Sequence, residues 1–203
     1  MPVGGAPSPE GGFSLIEMLL VLAIMGVLAT IAVPMSGNAM RYIRISGDAR
    51  DISNALAVTK MRAASKFTKA RLLVDLSANG YYVQTYDKTA NAWTAETGTN
   101  TLSSSVSFGF GPVGTPPSNT QTTIIQATNC YDTATPPAVI ANTACVIFNS
   151  RGLPVDDSTG SPTGNYALYV KDGTFVYGVT VAATGFIRTW RTNQTATPSW
   201  SLQ

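Results

Sequence analysis

Phe13-Ser14-Leu15-Ile16-Glu17-Met18-Leu19-Leu20-Val21-Leu22-Ala23-Ile24-Met25-Gly26-Val27-Leu28-Ala29-Thr30-Ile31-Ala32-Val33 is the stretch on which the fold turns. Its 21 residues carry one charge, Glu17. As a helix it would extend about 32 Å at 1.5 Å per residue, enough for a bilayer core of roughly 30 Å. A removed secretory signal calls for a basic start, a shorter apolar run and a small-residue cleavage site behind it. Residues 1–12 hold no Lys or Arg, and the run is long for that reading. Glu17 is out of place in such a segment. A carboxylate costs about 2.5–3.5 kcal/mol at the centre of a bilayer and less near an end, and such groups usually pair with a cation. No Lys or Arg lies between Met1 and Met40. The nearest available cation would be an α-amine made by cutting the chain before Phe13, and Gly11-Gly12 is a flexible, accessible place for a cut.

Gly12-Phe13-Ser14-Leu15-Ile16-Glu17, followed by the apolar run and Pro34, resembles the processing signature of type IV pilins and type II secretion pseudopilins. The resemblance implies that a membrane prepilin peptidase cuts between Gly12 and Phe13 and methylates the new amine of Phe13. It further implies that Glu17 pairs with the terminal amine of a neighbouring subunit in a filament. The implied partners are the prepilin peptidase, other pilin or pseudopilin subunits and the inner membrane. The leader departs from the family pattern, which carries Lys or Arg ahead of the glycine. By charge bias alone the basic residues after the run would lie in the cytoplasm. The cleavage signature and the cysteines argue the reverse: a single-pass protein of the bacterial inner membrane, with its globular part in the periplasm and later in a pilus or pseudopilus.

Composition narrows the remaining choices. Of 203 residues, 12% are charged, about half the globular average of roughly 25%. The chain has no histidine, which removes His-based triads and His-ligated zinc or haem. Two cysteines cannot hold a four-cysteine zinc or iron–sulfur site. No nucleophile–base pair stands out, so an enzyme is not expected, nor a metal or cofactor. The net charge of +2 conceals one basic segment, where Arg41, Arg44, Arg50, Lys60, Arg62, Lys66, Lys69 and Arg71 outnumber Asp48 and Asp51. A solvated face is its plainest reading; anionic lipid or nucleic acid is the other.

Beyond the run, Tyr42, Ile45, Ala49, Ile52, Leu56, Ala63 and Phe67 fall on one helical stripe with Thr59 as a polar gap. The expected object is a single long helix whose first half crosses the membrane and whose second half packs on a globular domain. From Arg71 the pattern turns to strands, at 71–76, 81–86, 145–148, 166–171, 174–182 and 186–191, with weaker candidates at 106–110 and 122–127. Residues 87–143 are rich in Thr, Ser, Asn, Gly and Pro and read as long loops. The fold class is therefore α+β, a long N-terminal helix on an antiparallel sheet, pilin-like by the resemblance. The expected organisation is a leader at 1–12, a transmembrane and assembly helix at 13–36, its amphipathic continuation at 37–70 and a β-rich periplasmic domain at 71–203. Val146 to Gly152 and Gly185-Phe186-Ile187-Arg188 are similar to the subgroup containing the H-type minor pseudopilin and FimT-like minor pilins.

Cys130 and Cys145 are the two cysteines. In an exported domain they are expected to form a disulfide; the alternative is two separate thiols, one buried in the strand of Cys145. Gly109 to Gly114 fits a dinucleotide-type glycine spacing, but Thr115-Pro116-Pro117 does not read as the helix such a site needs. Asp156-Asp157 supplies oxygens for calcium without a full ligand series. Arg188 and Arg191 flank Trp190 on the last expected strand and are the candidate DNA contacts, although odd spacing puts them on opposite faces of a regular strand. The expected function is a membrane-anchored pseudopilus or pilus subunit supporting protein secretion, with a DNA-binding minor pilin as the alternative.

Overall fold

A computed structural model describes residues 12–96, 98–157 and 159–203; of residues 32–36 and 38 it describes the backbone alone. The expected leader, apart from Gly12, lies outside the described residues. The chain forms two compact units, Met1–Met40 and Arg41–Gln203. One helix, α1, runs from Leu15 to Ser65 and contributes to both.

In the first unit every described side chain from Gly12 to Ile31 is exposed. Its helix is apolar around its whole circumference, a pattern that belongs inside a large core or a membrane. No helix among the described residues is long and apolar enough to cross a membrane. The expected transmembrane segment 13–36 runs on into residues whose side chains are not described. The described apolar side chains stop at Ile31, so the run from Leu15 covers about 26 Å. Residues 32–36, which would complete the span, lie outside the described side chains.

In the second unit Ile45, Ala49, Ile52, Leu56 and Ala63 of α1 are fully buried on one stripe. Thr59 sits in the same stripe, also fully buried, and its hydroxyl donates to Ala55 O at 2.7 Å. That back-bond satisfies the polar group and lets a threonine stand in an apolar seam. The stripe is shorter than expected at both ends. Tyr42 is partly exposed at its margin, edge-on to Phe175. Phe67 is 77% exposed because the helix has already ended. Thr68 N bonds Ala63 O and Phe67 N bonds Ala64 O, a Schellman closure that puts Phe67 in the left-handed region at φ 51°.

The strands that follow are β1 (Ala70–Asp75), β2 (Gly80–Asp87), β3 (Ala92–Ala95), β4 (Asn100–Thr101), β5 (Ser107–Phe108), β6 (Cys130–Tyr131), β7 (Val139–Ile140), β8 (Thr143–Phe148), β9 (Tyr166–Lys171), β10 (Phe175–Val181), β11 (Ile187–Asn193) and β12 (Ser201–Leu202). They make two main antiparallel sheets rather than the one expected: β3-β2-β1-β8 with β4 also on β2, and β12-β11-β10-β9-β5. A two-stranded ribbon, β6-β7, is separate. Each main sheet turns one face to the helix. Leu72, Val74, Val83, Val146 and Phe148 of the first sheet join Leu168, Val170, Tyr177 and Val179 of the second and the α1 stripe in a single core. Period-two alternation sends the intervening residues to the outer faces. Leu73, Cys145 and Ile147 pack there under Cys130 and Val155, while Ala167, Tyr169 and Val176 pack under Val113 and Ile124. The long loops of 87–143 are thus the covers of both sheets. No strand forms at 122–127; Gln126 instead reaches Tyr169 as a side-chain bridge, accepting from its N–H and donating to its carbonyl, both at 2.8 Å.

Candidate functional site

The N-terminal site is built from the start of α1. Gly12, Phe13 and Ser14 precede the helix, and Ser14 O accepts from Glu17 N at 3.0 Å and Met18 N at 3.1 Å. Glu17 therefore stands in the first turn, where a carboxylate is favoured by the helix dipole. Gly12 and Phe13 are exposed, and nothing lies within 4 Å of the Cβ position of Gly12, so the Gly12–Phe13 bond is open to another protein. Glu17 has no ion pair among the described residues; the three salt bridges all lie in the second unit. The geometry is that of an exposed bond followed, four residues on, by a carboxylate without a cation.

The cysteines pair as expected. Cys130 and Cys145 form a disulfide with Cα atoms 5.0 Å apart. It fastens the β6-β7 ribbon over the outer face of the first sheet, with Cys130 N donating to Thr143 Oγ1 and Cys145 N to Thr128 O. Beneath that ribbon lies an arrangement the sequence did not disclose. Arg71 is 2% exposed rather than on a solvated face. It donates to Gln84 Oε1 and to Tyr131 O, both at 2.7 Å, pairs with Asp157 at 3.5 Å and lies 4.2 Å over the ring of Trp93. Burial lowers the Arg71 guanidinium to about 10, and burial raises the Asp157 carboxyl against the pull of the hydrogen bond from Tyr131 N and of Arg71. Asp157 is thereby committed to the ribbon, not to calcium. Asp156 accepts from Thr159 N and Oγ1, and Ser158 lies outside the described residues. Among the described residues no three acidic, Cys or His side chains gather for a metal.

Lys60, Arg62 and Lys66 are also more engaged than a solvated face implies. Lys66 and Arg62 both reach Glu96, the second at 3.6 Å, and hydrogen bonds from Lys66 and Thr85 hold its carboxyl below the usual carboxylate range. Lys60 crosses from the helix to the β10-β11 turn and donates to Gly185 O at 2.9 Å. Gly185 has φ 75°, and a Cβ on it would meet Gly152 O at 2.3 Å. The glycine of Gly185-Phe186-Ile187-Arg188 thus has a packing reason of its own.

Arg188 and Arg191 do not converge. Arg188 is paired in register with Thr180 on the outer face of the second sheet, and its guanidinium lies 5.2 Å over Phe186. Arg191 is paired with Tyr177 on the helix side, over Tyr42 and Phe175. Trp190 does not pack on the helix; its indole donates to Thr180 Oγ1 at 2.9 Å on the outer face. The glycines at 109–114 lead into irregular chain, with Gly109 N bonded to Tyr169 O, and no helix follows them.

Compared with known proteins, residues 7–33 match the family model described as the prokaryotic N-terminal methylation motif. No curated protein and no solved structure matches the chain. The motif is that of type IV pilin-type proteins processed by prepilin peptidase, and it points to a structural subunit that assembles with other pilin subunits rather than to an enzyme.

Proposed function

We propose that the chain is a minor subunit of a type II secretion pseudopilus, cut between Gly12 and Phe13, methylated on Phe13 and held in the bacterial inner membrane by residues 13–36 with 71–203 in the periplasm. The carrying observation is that Glu17, which has no ion pair among the described residues, stands four residues beyond the exposed Gly12–Phe13 bond, inside the stretch that matches the methylation motif. In the filament Glu17 meets the Phe13 amine of a neighbouring subunit and sets the register, and contact with other helices replaces contact with lipid. The likeness of 146–152 and 185–188 is to the subgroup that holds both H-type minor pseudopilins and FimT-like minor pilins, and it supports a minor subunit in either apparatus. A DNA-binding minor pilin using Arg188 and Arg191 is the less favoured reading, since the two arginines face opposite ways. The test is intact mass and N-terminal sequencing of protein from the native membrane. A start at Phe13 with one added methyl is expected. A retained leader would leave an ordinary anchor, and a start beyond Val33 would mean a cleaved export signal; either result ends the proposal. Deleting the gene should then stop secretion of folded proteins and leave pili intact.

A further inference from the structure

At the end of the second sheet where β10 turns into β11, a cavity of about 280 Å³ is lined by Asn119, Asn165, Thr180, Thr184, Phe186 and Arg188, among others. Three separate segments supply its walls: the chain that crosses the outer face of the sheet, the residues just before β9, and the β10-β11 turn itself. The walls are held in place. Gly164 approaches the turn so closely that a Cβ on it would stand 2.7 Å from Ala183 N. From the other side Lys60 holds the turn at Gly185 O. Such a site needs little reorganisation on binding.

Its polar groups are not used up by the fold. The Arg188 guanidinium makes no hydrogen bond and no ion pair among the described residues, and it lies over the ring of Phe186. The side-chain amides of Asn119 and Asn165 and the hydroxyl of Thr184 likewise have no protein partner among the described residues. By contrast, in the cavity beside the β6-β7 ribbon, Asp132 already accepts two backbone N–H groups and Asp157 faces Arg71.

The unused groups define a ligand. A guanidinium presents a planar fork that matches a carboxylate in two parallel hydrogen bonds. Two amides and a hydroxyl offer both donors and acceptors, the complement of a ring carrying several hydroxyls. Phe186, 58% exposed, supplies an apolar surface for the C–H face of such a ring. The volume lies at the lower end of small-molecule sites, roughly 300 Å³, which suits one ring rather than a chain. Arg188 is the one charged residue among the described residues lining the cavity. A nucleic acid backbone needs several cations along its track, and Arg191 is on the opposite face. We propose that this cavity binds one carboxylated sugar unit, a uronic acid residue of an acidic polysaccharide.

The test is calorimetric titration of the full chain in detergent micelles with trigalacturonate, with neutral galactotriose and with a single-stranded thymidylate oligomer at low salt. Trigalacturonate should bind, and galactotriose should bind roughly tenfold more weakly or not at all, because the carboxylate accounts for the charge-assisted bonds. Arg188→Gln should lower trigalacturonate affinity by roughly tenfold or more. Arg191→Ala, on the other face, should leave it unchanged. Arg188 is exposed, so tryptophan fluorescence should report the same fold in the variants. Equal affinity for the two sugars, no trigalacturonate binding, no effect of Arg188→Gln, or Arg188-dependent binding of the thymidylate oligomer alone would each overturn the assignment.

Discussion

Arg71 and Asp157 are a buried pair whose desolvation is offset by hydrogen bonds to Gln84 and Tyr131 and by their own ion pair at 3.5 Å. Removing one partner of such a pair leaves the other charge buried and uncompensated, at a cost of about 3–5 kcal/mol. Arg71→Ala is expected to destabilise the second unit by that order, read as the denaturant midpoint of tryptophan fluorescence from Trp93, Trp190 and Trp200, which all belong to that unit. A loss under about 1 kcal/mol would mean that water reaches the pair. Glu96 behaves oppositely with pH. Hydrogen bonds from Lys66 and Thr85 lower its pKa from an ordinary 4.5, so its contribution is full above that value and fades as pH falls through the lower, folded one. Glu96→Gln should cost about 1 kcal/mol at pH 7, and the gap to the parent chain should close in acid, below pH 4.5. A gap that persists in acid would assign the loss to packing. Glu17 was legible in the sequence because an isolated charge in an apolar run has no bland explanation. Arg71 was not, because its alternation marks only which face of β1 it occupies. Whether that face meets water depends on a ribbon sixty residues away in sequence, tied down by Cys130–Cys145.

At the scale of elements, the helix stripe from Ile45 to Ala63 and the strands β1, β2, β8, β9, β10 and β11 followed from periodicity, with ends shifted by a residue or two. Of the two-residue strands, β5 lies inside the weaker candidate at 106–110, whereas β4, β6, β7 and β12 could not follow, since two residues carry no period. That there are two sheets was equally hidden: alternation marks a strand's buried face but not which neighbour it joins. The end of α1 shows local and global preferences in conflict. The stripe extrapolates to Phe67, yet the Schellman closure requires a left-handed residue there, a site that favours glycine. Phe67 is therefore strained and exposed at once. Phe67→Gly should raise stability by about 1 kcal/mol through relief of that conformation, partly offset by the greater freedom of glycine in the unfolded chain. Differential scanning calorimetry of the full chain in detergent checks this. An unchanged or lower Tm would show that contacts of the Phe67 ring outweigh the backbone strain.

At the scale of the whole molecule, the two units set opposite electrostatic problems. The second contains cations enough to satisfy its acids, as Arg71, Arg62 and Lys66 do for Asp157 and Glu96. The first, from Met1 to Met40, contains no Lys or Arg at all, so Glu17 can gain a cation only from a freed α-amine or from another molecule. Cleavage before Phe13 makes such an amine, but one chain's amine can serve its own Glu17 or a neighbour's. The two cases part on mutation. If the pair is internal, Glu17→Ala removes a contact at a helix start and changes helix stability by only about 0.3–1 kcal/mol, leaving assembly intact. If the pair is between subunits, Glu17→Ala leaves a neighbour's amine buried without a counter-charge, a loss of several kcal/mol per contact. The expected outcome is the second: Glu17→Ala is cut at the same bond, remains in the membrane fraction, and falls by roughly a hundredfold in sheared filaments relative to the parent chain. Mass spectrometry of the membrane fraction and immunoblots of the filament fraction read the two steps separately. Normal entry of Glu17→Ala into filaments would make the pair internal and remove Glu17 from the assembly mechanism.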